Sequence, residues 1–319
     1  MGITIIKPGM LSTIQDSGRY GHQNVGVPVS GAMDNLALRL GNLVLMNHEN
    51  EAALECTMIG PTIRFEQRQL ICITGADLSP TINANSVSLW KPLLVERGDT
   101  LSFGKPLNGV RCYICFYGGL RIPKVLGSRS TYLAGHFGGL EGRALQENDF
   151  ISFRIPYQSE LKQANWRLSY LFYPTKVKTI RVLAGPHIKD FENLSIVHFF
   201  SKPFTLSNDS NRIGYRLEAT TPLQLKSKTD ILSSAVTFGS IQVTPQGAPI
   251  VLMADRGTTG GYPIIAQVAS IDLPILGQCI PGEEIFFEHI TLEEAQQLYI
   301  KQIRDLQLLK KAIAFKYDE

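Results

Sequence analysis

Apolar residues recur along this chain in short runs. Gly2–Ile6, Leu70–Thr74, Val110–Tyr117, Thr179–Leu183 and Pro249–Met253 are rich in β-branched or aromatic residues. Turn formers bound them, at Pro8-Gly9, Gly75, Gly118-Gly119 and Gly185-Pro186. Short strands separated by turn signals predict a mainly β fold, as barrels or sandwiches rather than βαβ units. Two stretches break this pattern. From Ser30 onward, Met33, Leu36, Ala37, Leu40, Leu43 and Val44 recur at three- and four-residue steps, which predicts an amphipathic helix with Ser30 or Asp34 as its cap. A second begins at Thr291, where T-L-E-E reads as a capping box closed by Glu294. Its expected apolar stripe is Leu292, Ala295, Tyr299, Ile303, Leu306 and Ile313. Both read as packing helices against sheets.

The halves of the chain echo one another. I-T-I-I-K-P-G precedes D-S-G-R-Y-G at Asp16–Gly21, and I-R-V-L-A-G-P precedes D-S-N-R-I-G at Asp209–Gly214. This degenerate repeat predicts two related barrels joined near residues 158–174, with one subdomain over 1–165. The other covers 166–319 and includes the C-terminal helix. Two domains also fit a length of 319 residues.

Charge narrows the function classes. Lys plus Arg total 31 against 28 for Asp plus Glu, a net charge of +3 that gives no reason to expect nucleic acid or an anionic membrane as partner. The run MGITIIKPGM has no apolar core of a secretory signal, so a cytoplasmic location is expected. Five cysteines in so long a chain read as reduced thiols rather than a disulfide framework. Cys112 and Cys115 form a CxxC inside a strand-like run, where residues three apart face opposite ways, and no metal site is expected. Neither a GxSxG elbow nor a Walker A loop is present.

The densest polar constellation is A-D-R-G-T-T-G-G-Y-P, following the strand Pro249–Met253. Glycines 260 and 261 let backbone amides approach a ligand, the Thr258 and Thr259 hydroxyls orient it, and Arg256 can clamp a carboxylate or phosphate. Asp255 serves there as base or as the partner of Arg256, and Tyr262 closes the segment. The same residues also fit a tight turn with an internal Asp–Arg pair. Arg212 and Arg216 stand four apart and would share one strand face, suited to an anion or simply solvated. Arg129, in L-G-S-R-S-T, lies in a glycine-rich stretch that reads equally as an anion-holding loop or a plain connection.

The strings P-G-M-L-S-T-I-Q-D-S-G-R-Y-G, S-G-A-M-D-N-L-A-L-R-L-G-N, L-G-S-R-S-T-Y, G-G-L-E-G-R-A-L and A-D-R-G-T-T-G-G-Y-P resemble the allophanate hydrolase subunit 2 family. That family includes the C subunit of 5-oxoprolinase, the antagonist KipA of a kinase inhibitor, and part of the carboxyltransferase region of urea carboxylase. The resemblance implies two tandem cyclophilin-like β-barrel subdomains and obligate work with a subunit 1 type (KipI-like) protein, alongside a third subunit. The implied reaction opens 5-oxoproline to glutamate with ATP as co-substrate. Alternatives are carboxyl transfer to urea, or a non-catalytic regulator that binds a kinase inhibitor. Biotin is left open, but this chain has no M-K-M acceptor and no ATP-grasp motif. Under this reading Asp255, Arg256, Thr258 and Thr259 are expected to be catalytic. Gly260, Gly261, Tyr262, Arg212, Arg216, Ser30, Asp34 and Arg129 are expected to hold a small amide substrate. Asn211 departs from the family, which carries aspartate at that position.

Overall fold

The computed structural model describes residues 1–157, 166–169, 177–227 and 231–318. The expected join near residues 158–174 lies largely outside them. The chain is mainly β, as its short apolar runs predict. Four α-helices occur among the described residues: α1 (Asn35–Val44), α2 (Asn193–Ser201), α3 (Leu273–Gly277) and α4 (Leu292–Asp318). None is long and apolar enough to cross a membrane. The chain divides into two compact units, Met1–Tyr20 with Ser30–Tyr173 and Asp305–Glu319, and Gly21–Val29 with Pro174–Arg304.

In the first unit one sheet runs in the order Phe150–Ser152, Gly2–Lys7, Thr62–Phe65, Thr100–Ser102, Thr81–Ile82, Asn85–Ser86. A second runs Leu11–Gln15, Ala53–Thr57, Asn108–Phe116, Gln69–Asp77, Pro92–Val95. Ile3, Ile5, Phe65, Ile71, Ile73 and Phe116 help fill the shared core. Helix α1 is capped by Asp34, whose carboxylate accepts from the Ala37 amide at 2.9 Å. The helix comes close to the second sheet because position 41 is glycine. A Cβ there would meet Cys115 Sγ at 2.7 Å and Thr74 Oγ1 at 2.9 Å. Cys112 and Cys115 belong to different clusters, on opposite sides of their strand.

All five cysteines are buried and free. Burial pushes the thiols of Cys72, Cys112 and Cys115 up, which disfavours the reactive thiolate. The native chain is therefore expected to release no colour with Ellman's reagent over minutes and to titrate all five thiols once denatured. Rapid native labelling would contradict this burial.

The second unit is a closed barrel in the order Val177–Ala184, Ile264–Val268, Ser240–Val243, Pro249–Leu252, Gly214–Glu218, Phe204–Leu206, Glu284–His289. The parallel pairing of Val177–Val182 with Glu284–His289 closes it. Helix α2 covers it through Phe199, which stacks on Phe287 at 4.7 Å. The capping box of α4 forms as the sequence spells it: the Thr291 amide donates to Glu294 Oε2 at 2.8 Å, and the Glu294 amide to Thr291 Oγ1 at 3.2 Å. The predicted stripe of α4 differs along its length. Leu292 and Tyr299 are exposed, whereas Leu306 and Ile313 are buried with Leu36, Leu40 and Leu43 of α1. From Asp305 onward the turns of α4 fall in the first unit. The side that α1 turns away from its sheet is apolar, and those turns cover it.

Candidate functional site

Two concave surfaces carry the candidate chemistry, one in each unit. In the second unit, Pro249–Leu252 ends at Asp255 and Arg256, both buried. Asp255 pairs with Arg212 rather than Arg256. Its Oδ2 accepts from Arg212 Nε at 2.8 Å and its Oδ1 from Arg212 Nη2 at 3.0 Å, a two-point fork. The Asp255 amide also donates to the Arg212 carbonyl at 2.8 Å. This clip ties the D-S-N-R-I-G loop to the end of the strand. Asn211 Oδ1 in that loop accepts from the Ile213 amide at 2.8 Å and the Gly214 amide at 3.4 Å. That duty needs an acceptor and no charge, so asparagine serves it.

Arg256, expected to reach out to a ligand, is buried. Its guanidinium lies over the Phe238 ring at 5.9 Å and donates to the Met253 carbonyl at 3.4 Å. Nor do Arg212 and Arg216 share a face. Arg212 precedes the strand Gly214–Glu218 and is buried, while Arg216 lies within it and is exposed. Thr259 and Gly260 pair with Ser234 and Ala235 in a two-stranded ribbon, and the Thr258 carbonyl accepts from the Val236 amide. A Cβ on Gly260 would meet Gln242 Nε2 at 2.4 Å, so this glycine makes room for a side chain that donates to the Tyr262 carbonyl at 3.2 Å. Of the expected segment, Gly261 and Tyr262 line a groove of about 750 Å³ with Leu223, Ile231, Val243 and Pro263. Asp255, Arg256, Thr258 and Thr259 are not among its described lining residues.

The first unit holds a smaller polar cleft of about 480 Å³. Asp16 builds its floor. Its Oδ1 accepts from the Gly18 amide at 2.9 Å and from the Ser128 and Ser130 hydroxyls at 2.6 Å each, and its Oδ2 accepts from the Arg129 amide at 2.6 Å. Four donors on one buried carboxylate fix the L-G-S-R-S-T segment against D-S-G-R. Arg19 is buried behind them, donating to the Ser130 carbonyl and lying over the Phe137 ring at 4.8 Å.

Arg129 is aimed by its Nε, which donates to the Ile122 carbonyl at 2.9 Å, so that Nη1 lies 3.4 Å from Glu51 Oε1. Arg154 is aimed in the same way by the Gly118 carbonyl at 3.0 Å, with Nη2 on Glu51 Oε2 at 2.5 Å. Glu51 is buried and sits where only glycine is tolerated opposite. Gly119 has φ +77, and a Cβ there would meet Glu51 Cδ at 2.6 Å. Ser30 is buried with φ +56 and does not line this cleft among the described residues. The backbone amide of Asp34 donates to the Tyr113 hydroxyl at 2.8 Å, and that hydroxyl donates to Glu55 at 2.7 Å. Burial first, then the charges of Glu55 and Asp34, push the Tyr113 phenol well up, which keeps it a donor. The Asp34 carboxylate caps the start of α1. No cluster suited to a metal ion occurs among the described residues.

Residues 25–289 match the carboxyltransferase domain, subdomain A and B. The chain belongs to that family. It is 38% identical over 312 residues to the C subunit of 5-oxoprolinase from Haemophilus influenzae, a match covering 95% of this chain and 97% of that protein. It is likewise 38% identical over 314 residues to the corresponding Escherichia coli protein, also a 5-oxoprolinase C subunit, covering 94% and 97%. The crystal structure of Kluyveromyces lactis urea carboxylase superposes with a TM-score of 0.87 at 31% identity, over 96% of this chain and 29% of the larger protein.

Within this carboxyltransferase-domain chain, the sequence reading reached Arg129 but not Glu51, Arg154 or Lys124, which line the same cleft. Glu51 stands in the polar run N-H-E-N-E, and Arg154 lies 103 residues away just after a strand. Asp16 opens the repeated D-S-x-R-x-G string, a repeat that pointed to two related subdomains rather than to this cleft.

Proposed function

We propose that this chain is a subunit of a 5-oxoprolinase-type enzyme, working with a subunit 1 type protein and a third subunit to open 5-oxoproline to glutamate at the expense of ATP. The observation that supports this reading is full-length similarity. The two 5-oxoprolinase C subunits match over 97% of their own length, whereas the chain spans 29% of the urea carboxylase. The chemistry is consistent with a shared site. An unstrained lactam resists water until its carbonyl is activated. Phosphorylation of the lactam oxygen by ATP makes the carbon electrophilic. Water then adds, the C–N bond breaks to leave the amine and an acyl phosphate, and a second water hydrolyses that acyl phosphate to the carboxylate and inorganic phosphate. Fixed donors around the developing negative charge contribute the largest share of such catalysis. Biotin has no step in this reading.

In cells from which the chain has been removed, 5-oxoproline is expected to accumulate and to fall again when the chain is restored. Unchanged 5-oxoproline in the deleted cells, with binding of the purified chain to a kinase inhibitor, would favour the regulator instead.

A further inference from the structure

We propose that the cleft of the first unit is an anion site for the carboxylate of a small cyclic amide acid, with Lys124, Arg129 and Arg154 as donors and Glu51 as the counter-ion shared by the two arginines. The substrate class rests on the 5-oxoprolinase reading; the anion site does not.

Charge is the first observation. The cleft is lined by three cations, Lys124, Arg129 and Arg154, against two carboxylates, Asp16 and Glu51, an excess of one positive charge. Asp16 is already saturated by four donors, so it answers none of the cations. Glu51 is shared between the two arginines. A purely structural ion pair would leave no cation over.

Unused donors are the second observation. Each guanidinium carries five N–H groups in a fixed fork. Arg129 engages Nε and Nη1, and Arg154 engages Nε and Nη2. Among the described residues, Arg129 Nη2, Arg154 Nη1 and Lys124 Nζ have no hydrogen-bond partner. The arginine Nε atoms are held by backbone carbonyls, so both planes are oriented before any ligand arrives, which lowers the cost of binding.

The rim adds a donor for an amide. Ser17 Oγ donates to Asn50 Oδ1 at 2.7 Å, which orients the Asn50 amide so that its NH2 group is available to a lactam oxygen. Carboxylate at the arginines and carbonyl at Asn50 is the pattern that a five-membered lactam acid presents. A volume of about 480 Å³ suits a small ligand.

Calorimetric titration of the full chain with 5-oxo-L-proline, pyrrolidin-2-one and inorganic phosphate tests this. 5-Oxoproline is expected to bind, and the lactam without a carboxylate is not. Lys124→Ala and Arg154→Ala are each expected to weaken binding roughly tenfold, the loss of one charge-assisted hydrogen bond. Glu51→Gln, which keeps the shape and removes the counter-charge, is expected to tighten it several-fold. That direction is one a structural role for Glu51 would not give. Lys124 is exposed and, among the described residues, without partner, so its variant keeps the fold and keeps the test decisive if Glu51→Gln does not. No heat from 5-oxoproline, equal affinity in the Lys124 and Arg154 variants, or binding of phosphate alone would overturn the proposal. Variant-sensitive binding without ATP-dependent turnover in the assembled enzyme would remove the proposed reaction and leave the anion site standing. Turnover with variants that bind like the wild type would remove the site alone.

Discussion

Asp16→Ala is expected to destabilise the first unit by about 3–5 kcal/mol, because it strands two buried hydroxyls and two part-buried amides, each worth about 1–3 kcal/mol when left unpaired, partly offset by water entering the cleft. The two hydroxyls and two amides that meet on this carboxylate come from segments more than a hundred residues apart. Losing it releases the Ser128–Ser130 segment and with it the backbone that carries Arg129. Binding of an anion in the cleft should therefore weaken together with stability. Denaturant unfolding reads the effect in the transition of that unit, with the barrel's transition as internal control. A change below about 1 kcal/mol, the size of an ordinary surface substitution, would show that the carboxylate does not hold the segment.

The barrel has its own counterpart in the clip between Arg212 and Asp255. Each partner is nearly sealed from solvent, with side-chain exposures of 5% and 4%. Removing one takes a two-point ion pair out of a buried site, at a cost of up to about 3–5 kcal/mol. Asp255→Ala is accordingly expected to shift the barrel's transition by that amount. The double variant Arg212→Met with Asp255→Leu should recover most of the loss, since a buried pair exchanged for apolar groups of like volume is often neutral. If Asp255→Ala left stability intact but abolished turnover, Asp255 would be a catalytic group after all, and its placement as a structural clip would be wrong.

The mainly β fold was legible because short runs of β-branched and aromatic residues between glycine and proline turns have few other outcomes. The start of α1 and the capping box of α4 were legible too, since caps are local and need only three or four neighbouring residues. Helix α2 was not. Its sequence N-L-S-I-V-H-F-F-S is apolar nearly all round, so periodicity gives no signal, and the helix follows from Phe199 packing on the barrel's Phe204 and Phe287.

The site was legible in its residue types but not in its directions. Asp255 and Arg256 look like a presented pair, yet the side chain that answers Asp255 comes from a loop 43 residues earlier. Arg256 turns inward beside Phe238. Direction at a strand end depends on register with neighbouring strands, which spacing does not encode. The polar cleft was largely hidden for a related reason: Glu51, Lys124 and Arg154 are unremarkable alone and join Arg129 in a charge pattern only when the chain folds.

The most direct test is turnover by the reconstituted enzyme. The chain is combined with its subunit 1 type partner and third subunit, and glutamate and ADP are measured from 5-oxoproline and ATP, with this chain present or omitted. The expected result is glutamate formed in step with ADP when all components are present, and none when this chain is left out. Undiminished glutamate formation in its absence would contradict the account.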